Sequence, residues 1–229
     1  MEADNKDNNP ELTGSDQLTE AVVDGVQDTS LTELRRDQIC EAALELFLKK
    51  GFASTTIRDI CAQSGVNQAS IYDYIANKND ILRRLLNKLW FSSDVVNLAD
   101  RIVQHQDAPF EEQVTEYLRD SWTKKRKGTL LAYRAVPHLQ EDDRRAMRIR
   151  DETVIHSLAS QLRRMAKLAD NDPRAEILAN LIIFMAAFAP MRDWLHKNVD
   201  DEIILSTVAA GINAMVVHLA EQPNEPAEL

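Results

Sequence analysis

Between Thr56 and Lys78 the chain gathers short amide and hydroxyl side chains, two tyrosines and isolated cations: Thr56, Arg58, Asn67, Gln68, Ser70, Tyr72, Asp73, Tyr74 and Lys78, with the small Ala69 among them. Amides pair with adenine N6 and N7, a guanidinium pairs with guanine, and hydroxyl and ammonium groups reach phosphate oxygens. On those rules Gln68 and Asn67 are candidates for adenine and Arg58 for guanine. Asp73 can accept from cytosine N4 or repel the backbone. Catalysis finds no comparable support. The five histidines (105, 138, 156, 196 and 218) are dispersed, and the chain has no HExxH, GxSxG or GxxxxGK run. We therefore expect no catalytic residue, no metal and no cofactor. Cys40 and Cys61 form no CxxC pair and fall on apolar helix faces, which points to buried structural thiols.

Those polar groups need short helices to hold them. The 229 residues carry 27 Lys and Arg against 37 Asp and Glu, a net charge of −10, so bulk charge cannot bind nucleic acid. Only 6 glycines and 44% hydrophobic residues favour an all-helical fold with a sizeable core. A first helix is expected over about 32–50, with Ile39, Ala42, Ala43, Leu46 and Phe47 at helical spacing and Gly51 as its left-handed stop. Thr55 or Thr56 caps a short second helix that ends at Ser64-Gly65. A third spans about 68–74 with Ile71 and Tyr74 inward. Lys78-Asn79-Asp80 opens a fourth, striped by Ile81, Leu82, Leu85, Leu86 and Leu89. Two short helices joined by a Gly-containing turn form a helix-turn-helix, wedged by Ile60, Val66 and Ile71.

The run TTIRDICAQSGVNQASIYDYIANKNDIL, residues 55–82, resembles the DNA-binding signature of TetR-type bacterial regulators, most tellingly at Thr56, Ile60, Gly65-Val66, Ser70-Ile71-Tyr72, Tyr74 and Lys78. Ala43–Phe47 and Lys50-Gly51-Phe52 extend the similarity. Ile75, Ala76 and Cys61 depart from the usual pattern, and Asp73 is an unusual acid on the DNA-facing helix. The resemblance implies a third helix in the major groove, with Tyr72 and Lys78 as phosphate clamps and Thr56 as a cap that also touches phosphate. It also implies a homodimer, a small-molecule effector and release of double-stranded operator DNA. The alternative is a helical interaction protein whose helix-turn-helix lacks operator affinity.

Four segments are expected: an acidic disordered tail over 1–30, the helix-turn-helix domain over 31–78, an effector-binding and dimerisation domain over 79–221, and a flexible tail over 222–229. The first thirty residues carry one lysine and eight acids, whereas 31–90 is the only net positive block. Beyond it, helices are expected at about 79–104, 110–127, 128–139, 141–170, 173–197 and 200–221, with Pro190 as a kink. Trp90, Trp122, Tyr133, Phe184 and Phe188 are candidates for an effector pocket. Arg148, within the basic set Lys124 to Lys127, Arg134, Arg144, Arg145, Arg148 and Arg150, is the candidate for an anionic group. Residues 130–152 are weakly similar to acyl-coenzyme A-responsive regulators. The last two helices carry apolar surface too broad for one core, which suits pairing with a second copy about a two-fold axis. An acidic N-terminus and no 18-residue apolar run argue for a cytoplasmic protein with no membrane partner.

Overall fold

The computed structural model describes residues 17–23, 29–92 and 94–221, and the fold is all helical. Helix α1 (Thr29–Lys50) ends where Gly51 takes a φ of 86°. Helix α2 (Ile57–Ser64) opens with a capping box: Thr56 Oγ1 accepts from the Asp59 amide while the Asp59 carboxylate accepts from the Thr56 amide. Gly65, at φ 72°, turns the chain out of α2. The expected third helix is two tight turns, of which Ile71–Asp73 is 3-10. Helix α3 (Lys78–Leu86) is capped by Asn77, whose side chain accepts from the Asp80 amide.

The expected helix over 79–104 is broken. After α3 the chain widens into a π turn, Asn87–Phe91, and resumes only at α4 (Leu98–Gln104), where Asn97 accepts the Asp100 amide at 2.9 Å. Ser92, Asp94 and the β-branched Val95-Val96 are poor helix formers, and Asn97 offers a fresh cap. Helices α5 (Phe110–Thr123), α6 (Arg126–Ala135) and α7 (Glu141–Ala166) follow. Helix α8 (Pro173–Ala186) then bends by 51° into α9 (Phe188–Arg192), a break where the sequence suggested one kinked helix. Pro190 has no N–H to give the carbonyl of Ala186, and the Trp122 indole N–H donates to that carbonyl instead, at 2.8 Å. Helix α10 (Asp201–Glu221) closes the described chain.

Two apolar cores result. The first joins α1, α2, the Ile71–Asp73 turn and α3 to Leu131, Ala132, Ala135 and Met147 of α6 and α7. The helix-turn-helix module thus shares its core with the larger domain. The second packs α4, α5, the later part of α7, α8 and α10. At the joint, Gly128 of α6 lies against the π turn so closely that a Cβ would stand 2.2 Å from the Leu89 carbonyl oxygen. Among the described residues α10 is long and apolar enough to cross a bilayer, although one of its faces is packed into the second core.

Residues 17–23, inside the expected disordered tail, lie extended against α3. Leu18 is buried, its backbone exchanges two 2.8 Å hydrogen bonds with the Asn87 side chain, and Arg84 pairs with Glu20 at 2.7 Å. The Ala21 amide donates to the fully buried Asp80 at 2.9 Å. The ordering is local: Leu18 finds apolar cover and the backbone finds side-chain partners, which outweighs the acidity of the stretch. Residues 1–16, 24–28 and 222–229, the rest of the two expected tails, lie outside the described residues.

Candidate nucleic-acid interface and effector pocket

The helix-turn-helix presents an exposed polar edge. Ile60, Val66 and Ile71 are buried beneath it, as their spacing requires. Gln68, Ala69, Tyr72, Asp73 and Arg58 are exposed above them, and Ser70 is half-exposed. Gln68 and Arg58 make no hydrogen bond or ion pair among the described residues, so both side chains are free to meet base edges. Asn67 is partly committed: its Oδ1 accepts from the Ala69 amide at 2.9 Å, which leaves its amide N–H groups outward. Thr56 is likewise committed to its cap, with its hydroxyl donating to Asp59 at 2.7 Å. Hydrogen bonds from Lys50 and Thr56 hold the Asp59 carboxyl well below the usual carboxylate range.

Tyr74 packs against the first core, and its carbonyl accepts from Arg36 Nε at 2.9 Å. Lys78 turns inward. Its ammonium donates to the carbonyls of Phe52 and Thr55, both at 2.8 Å, and lies 4.3 Å from the centre of the Phe52 ring. Burial pulls Lys78 below the ordinary lysine value. Two of its three N–H groups thus fasten the α1–α2 loop to the start of α3, and one remains for a phosphate. Both cysteines are buried, and desolvation pushes Cys40 up to about 12, so neither is a ready nucleophile.

A cavity of about 400 Å³ opens between the π turn, α4, α5, α6, α7 and the end of α8. Trp90 and Tyr133 line it, as does Phe91, with Tyr117 and Ser121 from α5 and Val154 and Ile183 supplying apolar wall. Trp122, Phe188, Phe184 and Arg148 do not. Trp122 is held by the Ala186 carbonyl, and Phe188 packs in the second core beside His196. Phe184 is 59% exposed and only edges Tyr133 at 6.2 Å, while Arg148 is exposed and pairs with Glu152 at 3.6 Å.

The charged groups of the cavity are Lys125, Arg150 and Asp151, with Asp94 and Asp100 at its exposed rim. Lys125 Nζ sits 4.4 Å from the centre of the Trp90 ring, and the Arg150 guanidinium lies 5.1 Å from Trp90 and 5.5 Å from Phe91. Arg150 also donates to the Trp90 carbonyl at 2.8 Å and faces Asp151 at 3.8 Å. Desolvation, reinforced by Arg150, lowers Lys125 to about 8. Burial raises Asp151, Tyr117 and Tyr133 above their usual values. The Trp90 indole N–H is buried without an acceptor among the described residues. Lys125 and Arg150 belong to the basic set of the sequence, whereas Tyr117 and Phe91 are not among its pocket candidates, although Tyr117, Ser121 and Lys125 share a four-residue spacing. What singles them out is the break after Leu86, which aims the π turn at them.

Of the other basic residues, Lys124 pairs with Asp120, Arg126 with Asp193, and Arg134 and Arg144 donate to the carbonyls of Leu48 and Leu139. Among the described residues no group of acids, histidines and cysteines is placed to hold a metal.

Known proteins are similar to this chain. Residues 39–85 match the family described as bacterial regulatory proteins, tetR family. The HTH-type transcriptional regulator HbdR of Aromatoleum sp. (strain CIB) is 31% identical over 131 residues, 55% of each chain, so the match spans about half of that relative's length. The HTH-type transcriptional regulator BetI 1 of Chromohalobacter salexigens is 28% identical over 196 residues, covering 79% of this chain and 96% of the relative. A TetR-family transcriptional regulator from Bordetella parapertussis 12822 shares the fold with a TM-score of 0.59 at 21% identity, over 80% of this chain and 93% of that one.

Proposed function

We propose that this chain, which carries the helix-turn-helix of the tetR-family transcriptional regulators, is a repressor that binds operator DNA as a homodimer and lets go when a small, largely apolar effector enters the α4–α8 cavity. The observation that carries the reading is the exposed edge from Asn67 to Asp73, held rigidly over Ile60, Val66 and Ile71, with Gln68 and Arg58 unengaged. In this reading Gln68, Asn67 and Arg58 meet bases, while Ser70, Tyr72 and the spare N–H of Lys78 meet phosphate.

Dimerisation is supported by apolar residues left outside both cores. Ile177, Leu181 and Phe184 on α8, and Ile203 and Val217 with Ala210 and Ala214 on α10, stand exposed at spacings of three, four and seven. Stripes of that kind on adjacent helices suit a four-helix interface with a second copy. Reading the two halves of a palindromic operator requires two recognition turns about 34 Å apart, one turn of B-DNA, which a two-fold dimer can provide. Val208 is buried in the monomer, so the informative substitutions are Leu181→Asp and Val217→Asp. Each should give a folded monomer by sedimentation at micromolar concentration. A wild-type monomer would end the dimer reading.

Of residues 130–152, the stretch weakly similar to acyl-coenzyme A-responsive regulators, Tyr133, Arg150 and Asp151 line the cavity, and of the wider basic set only Lys125 and Arg150 do. A thioester would leave its phosphates outside these walls. The regulator reading is tested by gel shift with the DNA flanking its own gene. Retention that survives competitor DNA at raised salt supports it, and binding erased by both favours a helical interaction protein without operator affinity.

A further inference from the structure

Inside the cavity two cations, Lys125 and Arg150, stand beside one carboxylate, Asp151, while Asp94 and Asp100 lie at the exposed rim. Arg150 faces Asp151 at 3.8 Å and is further fixed by the Trp90 carbonyl. Asp100 is engaged at the rim, where Asn97 donates to its carboxylate at 2.8 Å. Lys125 has no hydrogen bond or ion pair among the described residues; its contact is the Trp90 ring. The Tyr133 hydroxyl, also on the wall, has no hydrogen-bond partner among them either, and the Trp90 indole N–H is a third donor without an acceptor. Unmet donors around an unanswered ammonium call for an acceptor that carries negative charge.

A cationic ligand has the opposite problem. Two of the aromatic faces in the cavity, Trp90 and Phe91, are already covered by Lys125 and Arg150, whose charges would repel an ammonium. A polyanion is equally ill-matched, because among the described residues the basic ones that line the cavity are Lys125 and Arg150 alone, and Arg150 already faces Asp151. Lys125, the cation without a paired carboxylate among the described residues, suits one negative charge. Val96, Val154, Ile183, Ala186 and Ala187 give the wall an apolar part beside the polar Asn97, Gln104, Ser121 and Thr129, and about 400 Å³ lies at the small end of ligand sites.

Resting on the reading that this cavity receives the effector, we propose that the effector is a small organic monocarboxylate with a compact apolar body, its carboxylate held by Lys125 with the Tyr133 hydroxyl as a second donor and its body against Val154 and Ile183.

The test titrates the full-length, DNA-free protein by calorimetry with benzoate, hexanoate, 3-phenylpropanoate and decanoate. Each acid is compared with its primary amide and the corresponding amine, and hexanoyl-coenzyme A is included. At least one acid should bind, with its amide and amine weaker by roughly tenfold or more, the size of one lost charge-assisted contact. Lys125→Met should lose that preference and Lys125→Arg should keep it. No acid bound at millimolar concentration, an amide or amine bound as well as the acid, tighter binding of the thioester than of hexanoate, or a folded Lys125→Met protein that still prefers the acid would each overturn the proposal. The wild-type comparison of acid, amide and amine stands even where a variant fails to fold. Release of promoter DNA is titrated separately. Acid binding without release keeps the ligand class and removes the effector reading, whereas release by acid and amide alike does the reverse.

Discussion

Arg83 Nε lies 2.9 Å from one oxygen of Asp143 and 3.0 Å from the other, gripping the first turn of α7 from α3. The pair joins the helix-turn-helix module to the domain that holds the cavity, and Asp143 is almost wholly buried. A buried charge deprived of its partner is expensive. Arg83→Met should cost about 2–4 kcal/mol in denaturant unfolding, and Arg83→Met with Asp143→Leu should recover most of it. A double variant no more stable than the single one would show that the cost does not come from a stranded Asp143 carboxylate.

Lys78 and Tyr72 separate support from contact. Lys78→Met strips two carbonyls of their donor and should lower stability by about 1–3 kcal/mol as well as weaken DNA binding. Tyr72 is 52% exposed, so Tyr72→Phe should leave the melting temperature unchanged and weaken binding to all DNA sequences alike. Gln68→Ala should instead relax preference at one or two base pairs, by about 1–3 kcal/mol. Paired melts and gel shifts on the three variants decide each assignment.

The helix-turn-helix was readable because its signals are local. Thr56 with Asp59, Gly51, Gly65 and the Ile60, Val66, Ile71 wedge each act within a few residues, and each stands where the sequence places it. The effector pocket was not readable in the same way, since its walls converge from six elements. A π turn adds a residue to the helical repeat, so Trp90 and Phe91 leave the Ile81–Leu86 stripe and face α5 and α7. Trp122 looked as suitable as Trp90, but Pro190, far off in the sequence, frees the Ala186 carbonyl that captures it. No periodicity within α5 announces that partner.

Lys125 gives the protein a pH signature. Its ordinary value of 10.5 applies to the unfolded chain, and its folded value is about 8. Between the two, the unfolded chain binds a proton that the folded chain lacks, so stability rises with pH from about 8 towards 10.5 and the penalty is fully present below 8. The groups facing it are Arg150 and Asp151 of α7, Tyr117 of α5 and Tyr133 of α6, with Asp94 and Asp100 at the rim. Relative to wild type, Lys125→Met should be more stable at pH 7 by about 2 kcal/mol, with the gap closing by about pH 10. A pH-independent gap in urea unfolding would refute the assignment.

The extended segment at 17–23 is a removable brace. Deleting residues 1–23 takes away the backbone partners of Asn87 and Asp80 and the cover over the apolar core at Leu18. The truncated protein should unfold about 1–3 kcal/mol more easily, with faster amide exchange along α3. Unchanged exchange in α3 would show the segment to be dispensable.

Gly128 sets a division of labour for the chain's future. With 2.2 Å between a hypothetical Cβ and the Leu89 carbonyl oxygen, the crossing of α6 over the π turn has no room for any other residue. The cavity wall beyond it has no such tightness: Val154 and Ile183 can be enlarged, trimmed or made polar without touching the crossing. Ligand preference can therefore drift by ordinary substitution while the mechanical link to the recognition turn stays as it is. A lineage of this protein could change what it responds to many times over and still respond in the same way.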